Sequence, residues 1–408
     1  MRERRVVITG LGALSGCGGS VDDLWDAALA GRSAEARIQL DDGTDVVGVV
    51  VPELDADGLF GRREARRMDR AGQLASAAVG QALRDAGEVA LEPDRIGAAI
   101  GTAHGGVGTL DAAYSTHSAR GPDRVSALTV PLGLANSPAT AAARTHQLRG
   151  PVVAPASACA AGADAIGLAA MHIRSGSAEA MVAGGAEAPM SPVIIAGYRK
   201  SGALTPGTNR VGTCSRPFDV ARDGFVIAEG AGAVLLEERE RALSRGARIY
   251  CELVGYGASC DANHLTDPEP SGAGPSRAVL AALAAAQVSA KDVGYVNAHA
   301  TSTPAGDSAE LSALGRAGLV DAAISSTKGT TGHALGAAGG LELIITARAL
   351  YEHRLPPTAN LAEPEPSEAR ILSEPVDDPE VEIALSTSFG FGGQNACLVL
   401  SSRGRSPG

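Results

Sequence analysis

One stretch near the middle of the chain limits the fold more than any other. Residues 151–154 are apolar, a tight turn containing Cys159 follows, and a long apolar segment through Arg174 leads to a second apolar run over 180–184. This order predicts a βαβ unit, in which the two strands run parallel in one sheet. The sequence therefore predicts an α/β fold.

Cys159 stands where the turn enters the helix. The positive end of a helix dipole lowers the pKa of a nearby thiol, so this position favours a nucleophilic thiolate. The neighbours between Ala156 and Gly162 are small, which leaves room for a thioester and for backbone N–H groups that face it. A buried structural cysteine is the alternative, because free cysteine is among the most buried residue types. This stretch alone does not decide between the two.

The same order of elements recurs later in the chain. The first half is predicted to contain, in order, a strand at 5–9, helices at 21–31 and 73–87, a strand at 96–101, loops and short helices over 102–150, the Cys159 unit and a strand at 228–238. The second half repeats this with strands at 250–257, 293–298, 324–328, 383–388 and 396–401, and helices at 276–288, 307–318 and 333–353. A long apolar helix opens after Cys159 in one half and at His333 in the other. We predict two similar halves, residues 1–245 and 246–408, with a disordered tail from 402.

Composition and charge disfavour several functions. A formal charge of −11 argues against binding to nucleic acid or to an anionic membrane surface. The six cysteines lack CxxC and Cys/His spacing, so neither a zinc site nor a disulfide framework is predicted. No apolar run approaches the roughly 20 residues of a membrane span. The basic start and its glycine-broken apolar run fit a first strand better than a signal peptide, and we expect a cytoplasmic protein.

Basic residues are unevenly used. Lysine occurs only three times, as Lys200, Lys291 and Lys328, so a lysine inside a motif stands out. Residues 61–70 carry five arginines, namely Arg62, Arg63, Arg66, Arg67 and Arg70. Such a cluster alone is typical of a solvated charged face.

Two further segments place chemical groups at predicted strand ends, where the sites of α/β proteins gather. His299 ends one strand and is followed by Thr301 and Thr303. Lys328 ends another, and His333 begins the next helix, where the dipole favours a neutral imidazole. A buried Lys328 needs a carboxylate, for which Glu310 and Glu342 are the candidates.

Residues 389–395 form a glycine-rich segment that contains Phe389 and Phe391. A phosphate cradle is disfavoured, because the chain has no GxGxxG between strand and helix with a downstream acid and no Walker lysine. In a chain that is only 3% aromatic, the two phenylalanines indicate a mobile gate beside a backbone N–H.

Four segments together resemble the β-ketoacyl-acyl carrier protein synthases, the condensing enzymes of type II fatty acid synthesis (the KAS II branch) and their relatives in type II polyketide synthesis. The segments are 157–162, 296–307, 326–333 and 388–393, and the resemblance extends from Val6 to Leu400. It implies a thiolase-like fold with two pseudo-equivalent halves, layered α-β-α-β-α and usually dimeric.

The resemblance also implies a reaction. Cys159 takes an acyl chain from an acyl carrier protein as a thioester. His299 and His333 bind the carbonyl of a malonyl thioester and promote decarboxylation, and the carbanion attacks the Cys159 thioester. Lys328 supports the histidines electrostatically. A decarboxylative Claisen condensation of this kind needs neither a metal nor a redox cofactor.

Other implied roles concern substrate binding. The N–H groups of Cys159 and Phe391 form the oxyanion hole, and Phe389 and Phe391 gate the acyl pocket. Thr301 and Thr303 bind the phosphopantetheine arm. Tyr198 and Leu110 are expected at the acyl pocket. The five arginines of residues 61–70, with Lys200, become a docking patch for an acidic carrier protein.

The chain departs from the family pattern at three positions. Ala300 replaces a glycine, Tyr198 stands where phenylalanine is common, and Gly202 replaces an arginine. These changes favour a more polar or unsaturated acyl chain, and hence a polyketide pathway over fatty acid synthesis.

Two other functions compete with this interpretation. A chain-length-factor-type partner would lack Cys159, although such a subunit, or a second copy of this chain, is an expected dimer partner. A coenzyme A-dependent thiolase usually has a second cysteine in the late glycine-rich motif, where this chain has Phe391.

Overall fold

The computed structural model describes residues 4–207 and 209–402, so the predicted disordered tail lies, except for Ser402, outside the described residues. The strands of the first half are β1 (Val6–Leu14), β2 (Ala36–Gln39), β3 (Asp45–Val49), β4 (Ile96–Gly101), β5 (Val152–Val153), β6 (Ala180–Glu187), β7 (Ile227–Ala228) and β8 (Gly230–Glu238). Its helices are α1 (Val21–Leu29), α2 (Ala56–Phe60), α3 (Arg62–Ala65), α4 (Arg70–Ala86), α5 (Val107–Arg120), α6 (Thr129–Gly133), α7 (Ser137–Thr145), α8 (Ala161–Ser175), α9 (Pro192–Lys200) and α10 (Arg239–Ser244).

The second half is shorter and follows the same plan. Its strands are β9 (Cys251–Cys260), β10 (Val293–Asn297), β11 (Ala323–Ser325), β12 (Arg354–Leu355), β13 (Arg370–Ile371), β14 (Val376–Asp377), β15 (Ile383–Gly390) and β16 (Gln394–Ser401). Its helices are α11 (Ala273–Ala286), α12 (Pro304–Arg316), α13 (Lys328–Thr331) and α14 (Ala338–Glu352). None of the helices in the described ranges is long and apolar enough to cross a bilayer.

An internal two-fold relation organises the large sheet, whose strand order is β13-β11-β10-β15-β16-β9-β1-β8-β6-β4-β5. Outward from the central β1 and β9, the strands β8, β6, β4 and β5 of the first half match β16, β15, β10 and β11 of the second. Each matched pair also has the same strand directions. Within the described strands of the large sheet, the halves join where Val7 and Ile8 of β1 pair with Glu252 and Cys251 of β9.

The sheet is mixed, so the parallel arrangement that the βαβ pattern predicts holds for only part of it. β4, β5 and β6 are parallel, as the βαβ pattern predicts. Across the centre of the sheet, the neighbouring pairs β6–β8, β8–β1 and β1–β9 are antiparallel. The central strands are buried nearly throughout, so they lack the alternation of apolar and polar residues that signals an antiparallel strand.

Helices α8 and α14 form the middle layer of the fold. Each contacts strands of both halves, and the two helices contact each other, while α4 packs on the outer face of the first half and α11 on that of the second. The result is an α-β-α-β-α stack of the thiolase-like type. Because α8 follows β5 and α14 follows β11, the two equivalent helices bring the segments before them, with Cys159 and His333, to the same place.

Three local expectations differ from the structure. Residues 102–150 contain a helix of 14 residues, α5, as well as short ones. β11 ends at Ser325, so Lys328 opens the short helix α13 and does not end a strand. His333 does not begin α14 but lies in an extended segment, where its backbone bonds to Val226 and Ala228.

Glycines make the close approach of the two middle helices possible. A Cβ atom on Gly162 of α8 would lie 2.8 Å from the carbonyl oxygen of Gly336 and 3.0 Å from the amide nitrogen of Gly340 of α14. Both contacts are with backbone, which cannot rotate aside. The separation of α8 and α14 therefore depends on the missing side chain.

We predict that Gly162→Ala lowers the free energy of unfolding by about 1–3 kcal/mol, because the added methyl group forces the helices apart. Gly315→Ala is the matched control, since Gly315 also lies in a helix but its Cβ would meet no atom within 4 Å. The control should raise the free energy of unfolding by about 0.5–1 kcal/mol, because alanine lowers the conformational entropy of the unfolded chain. Denaturant unfolding measures both, and equal effects would contradict the packing argument.

Candidate active site

A sharp turn presents Cys159 between β5 and α8. Cys159 lies in the 3-10 turn Ala158–Ala160, which leads directly into α8. Ala158 adopts φ 51°, a left-handed conformation that is costly for a residue with a side chain. Ser157 donates a hydrogen bond to Asp164, which also accepts one from Tyr256. These contacts hold the turn that aims the thiol.

The thiol of Cys159 lies in a buried setting with two polar neighbours. Its Sγ is 3.1 Å from Nε2 of His333, and it accepts a hydrogen bond from the backbone N–H of Phe391. Burial raises the pKa of the thiol to about 11, although the Phe391 N–H and the charge of Lys328 act in the opposite direction. The expectation of a lowered pKa is therefore wrong for this state, because desolvation outweighs the helix terminus.

The two histidines are neutral hydrogen-bonding groups. Their rings meet edge to face with centroids 5.2 Å apart. The pKa of His299 is held well below its usual value by burial, then by the charge of Lys328 and by His333; burial and Lys328 do the same for His333. The prediction named the helix dipole as the cause for His333, whereas the structure indicates burial and a cation.

Lys328 lies beneath the histidines and is 0% exposed. Its ammonium forms an ion pair with Glu342 and lies 3.4 Å from Nδ1 of His299. An ammonium can only donate, so Nδ1 of His299 is the acceptor and Nε2 carries the proton. Of the two carboxylates considered, Glu342 is the one that pairs with Lys328.

Glu310 holds the backbone after β10 instead. Its carboxylate accepts the N–H of His299 at 2.9 Å, the N–H of Ala300 at 2.6 Å and the hydroxyl of Thr387 at 2.7 Å. Burial raises the pKa of Glu310 to about 7. Glu310 thus fixes the position of His299 through its main chain.

A cleft of about 740 Å³, including its open mouth, gives access to these groups. Cys159, His299, His333, Thr301, Thr303, Phe389, Phe391 and Tyr198 all line it. The hydroxyl oxygens of Thr301 and Thr303 lie 3.1 Å apart. The structure therefore brings these eight predicted site residues, from both halves of the chain, to one cleft.

Leu110 is not among the residues that line this cleft. It lies on α5 and packs against Gly133, where an added Cβ would meet its side chain at 2.5 Å. Within this chain, Leu110 does not form part of the pocket around Cys159.

The predicted docking patch is only partly available. Arg62, Arg63, Arg66 and Arg67 are exposed. Arg67 pairs with Glu64 at 3.1 Å, and Arg70 pairs with the buried Glu229 at 2.8 Å. Lys200 is exposed at the end of α9, two residues from Tyr198.

Two residues beside the cleft were not predicted from the sequence. Glu187 ends β6 and is fully buried, and His104 follows β4. The Nδ1 atom of His104 lies 3.4 Å from the Glu187 carboxylate, and its Nε2 lies 3.3 Å from the hydroxyl of Tyr198. Both residues stand at the carboxyl ends of strands, the same signal that identified His299.

The donor atoms of Cys159, His299 and His333 lie within 4.8 Å of one another, a spacing that suits a metal ion. The ammonium of Lys328, 3.4 Å from His299, opposes a second cation there.

Residues 3–242 match the N-terminal domain of the Beta-ketoacyl synthase family, and residues 250–362 match its C-terminal domain. The chain belongs to the β-ketoacyl synthase family. It is 43% identical to a 3-oxoacyl-[acyl-carrier-protein] synthase 2 of Vibrio harveyi, covering 98% of this chain and 99% of the relative. It is therefore a ketosynthase, a condensing enzyme of the acyltransferase class.

Solved structures of ketosynthases share the fold. One is a type II polyketide synthase ketosynthase in complex with its acyl carrier protein and bound to a hexaketide (TM-score 0.89, 30% identity, 99% of this chain and 100% of that one). Another is the ishigamide ketosynthase/chain length factor (TM-score 0.88, 33% identity, 98% of this chain and 100% of that one).

We predict that Lys328→Met raises the pKa of both histidines of this ketosynthase, because a cation that disfavours the imidazolium is removed. Lowering the pH should then protonate His299 and His333 at a higher pH than in the wild type, so the acid limb of any histidine-dependent activity moves upward. Histidine NMR titration measures the shift directly.

Lys291→Met is the matched control, since Lys291 is exposed. His146 serves as an internal control, because burial, not Lys328, lowers its pKa. Unchanged titration of His299 and His333 in Lys328→Met would contradict the electrostatic role of Lys328.

Proposed function

We propose that this ketosynthase condenses a Cys159-bound acyl chain with a malonyl group, both delivered on an acyl carrier protein, and that it serves a type II polyketide pathway. The observation that carries the condensation chemistry is the convergence of Cys159, His299 and His333 with the Phe391 N–H on one cleft. The proposed reaction uses no metal and no redox cofactor, since acyl transfer, decarboxylation and carbon–carbon bond formation need no external oxidant or reductant and hydrogen-bond donors stabilise the enolate.

In the first step, the sulfur of Cys159 attacks the thioester carbonyl of the incoming chain. The new C–S bond forms as the phosphopantetheine thiolate leaves, and the proton of the Cys159 thiol ends on that leaving thiolate. The N–H groups of Phe391 and Cys159 stabilise the negative oxygen of the tetrahedral intermediate. A protonated resting thiol is compatible with this step, because the proton leaves while the bond forms.

In the second step, the C–C bond to the malonyl carboxylate breaks and carbon dioxide departs. The electron pair left behind forms an enolate, whose oxygen accepts hydrogen bonds from the neutral rings of His299 and His333. The carbon of the enolate then attacks the Cys159 thioester. The C–S bond breaks, and the departing Cys159 thiolate takes up a proton from solvent.

The acyl carrier protein is proposed to dock on the exposed members of the predicted patch, namely Arg62, Arg63, Arg66, Arg67 and Lys200. Its phosphopantetheine arm would then reach past Thr301 and Thr303, which line the cleft. A relative that shares the fold was solved in complex with its acyl carrier protein, which supports a carrier as partner.

A polyketide pathway is favoured over fatty acid synthesis by the polar wall that Tyr198 gives to the cleft. Two of the solved relatives come from polyketide or chain-length-factor systems, whereas the curated relatives at 40–43% identity are 3-oxoacyl-[acyl-carrier-protein] synthases. We also propose a dimer, with a second copy or with a homologous chain-length-factor subunit. The solved ketosynthase/chain length factor relative supports such a partner.

We predict that Cys159→Ala abolishes self-acylation, since the nucleophile is gone. His299→Ala and His333→Ala should keep acylation but lower elongation about 100- to 1000-fold, because each removes a donor to the enolate. Mass spectrometry of the Cys159 adduct and of the released product separates the two steps. Cys159→Gln should retain malonyl decarboxylation, and normal elongation by any of these variants would refute the assignments.

A charge reversal tests the docking patch. Arg63→Glu combined with Arg66→Glu should raise KM for a carrier-bound acyl chain about tenfold, while a small pantetheine thioester of the same chain reacts as before. Arg316→Glu is the matched control, because Arg316 is an exposed arginine outside the patch. An equal effect on both substrates would argue against docking.

A further inference from the structure

A chain of three polar groups ends at the wall of the cleft. Tyr198 of α9 lines the cleft, whereas His104 and Glu187 stand behind it. The hydroxyl of Tyr198 is 3.3 Å from Nε2 of His104, and Nδ1 of His104 is 3.4 Å from a carboxylate oxygen of Glu187. The three residues come from three separate elements, so their contact is a product of the tertiary fold.

Glu187 is held firmly in place at the inner end of these three residues. Its carboxylate is fully buried and accepts the N–H groups of Ala103 at 2.6 Å, His104 at 3.2 Å and Gly336 at 3.1 Å. The ring of His104 packs edge to face on Tyr198, with centroids 5.9 Å apart at 85°. The position of the phenol is therefore set from behind.

The surroundings of Tyr198 on the cleft side are apolar. Its ring packs against Phe225 at 5.3 Å and Phe391 at 6.1 Å between centroids, in a cluster that also includes Cys159 and Leu335. Burial, together with the charges of Cys159 and Glu187, raises the pKa of Tyr198. The phenol thus stays protonated and can both donate and accept a hydrogen bond.

The hydrogen bond to His104 leaves room for a second partner. At 3.3 Å it is longer than the usual 2.7–3.2 Å between nitrogen and oxygen, and it uses only one of the hydrogen-bonding positions of the hydroxyl. A saturated acyl chain that enters beside Tyr198 removes water from the phenol and has no atom that can form a hydrogen bond with it. A chain with a keto or hydroxyl oxygen replaces that water, so the polar group remains satisfied.

We propose that Tyr198 is a specificity-determining residue that selects acyl chains carrying a keto or hydroxyl oxygen over saturated hydrocarbon chains, and that His104 and Glu187 position it. The proposal rests on the condensation reaction described above and names its substrate class. Tyr198 contacts the acyl chain, whereas His104 and Glu187 act through Tyr198.

The experiment compares chains of equal length on the same carrier protein. Octanoyl, 3-oxooctanoyl and 3-hydroxyoctanoyl carriers are elongated with malonyl carrier by the full-length protein, and kcat/KM is measured for each. In the wild type, the oxygenated chains should react faster than octanoate. In Tyr198→Phe, the ratio of oxygenated to saturated kcat/KM should fall about tenfold, which is the size expected for one hydrogen bond.

Two further variants test the positioning role. His104→Leu should lower the same ratio, because the phenol loses its support, and His104→Gln should restore part of it, since an amide can still bond to the hydroxyl. Tyr114→Phe is the matched control, as the Tyr114 side chain is 73% exposed, and it should keep the wild-type ratio.

The possible outcomes separate the two proposals. A wild type that elongates all three chains, with the same ratio in Tyr198→Phe, overturns the role of Tyr198 and leaves the condensation intact. A wild type that elongates none of the chains contradicts the proposed reaction itself. A lowered ratio in Tyr198→Phe and His104→Leu, but not in Tyr114→Phe, supports the inference.

Discussion

A lysine with almost no contact with solvent determines the electrostatics of the whole site. Transfer of an ammonium into a protein interior costs several kcal/mol unless a counter-charge is close, and Glu342 supplies that charge to Lys328. The pair is neutral overall, but its positive end faces the histidines, with Nζ 3.4 Å from His299. Protonation of either imidazole would place a second cation beside the first. His299 and His333 are thereby restricted to neutral donors, which suits a step in which negative charge develops on a substrate oxygen and disappears again.

The internal symmetry of the fold explains why these groups meet. Strands β5 and β11 are equivalent in the two halves, and each is followed by a helix of the middle layer. Cys159 lies between β5 and α8, and His333 lies between β11 and α14. The two helices pack against each other in the middle layer, and Gly162 lets their backbones come close. The site therefore exists only when both halves are folded together, because the first half supplies the Cys159 thiol and the second half supplies the rings of His299 and His333.

Local pattern predicted the βαβ unit around Cys159, the repeated order of elements, and the strand-end position of His299. The burial of the site residues and the charges around them were harder to predict from sequence, because they depend on residues far apart in the chain. The pKa of Cys159 was expected to fall, since a helix terminus is visible in sequence and desolvation is not. The choice between Glu310 and Glu342 for Lys328 was equally open, as both follow within a helix. His104 was overlooked because nothing local connects it with Glu187, 83 residues away along the chain.

The division of labour between backbone and side chains bears on how one scaffold serves different acyl chains. The thiol is oriented by a strained turn at Ala158 and receives a main-chain N–H from Phe391, so the condensation depends on element ends that tolerate little change. The wall of the cleft is built from side chains, such as Tyr198 with His104 behind it, that can be replaced without moving those ends. Overall identity to a relative therefore reports mainly on the shared scaffold. Under our proposal, the few side chains beside the acyl chain select its chemistry, and a partly buried phenol with a long hydrogen bond favours a chain that can satisfy it.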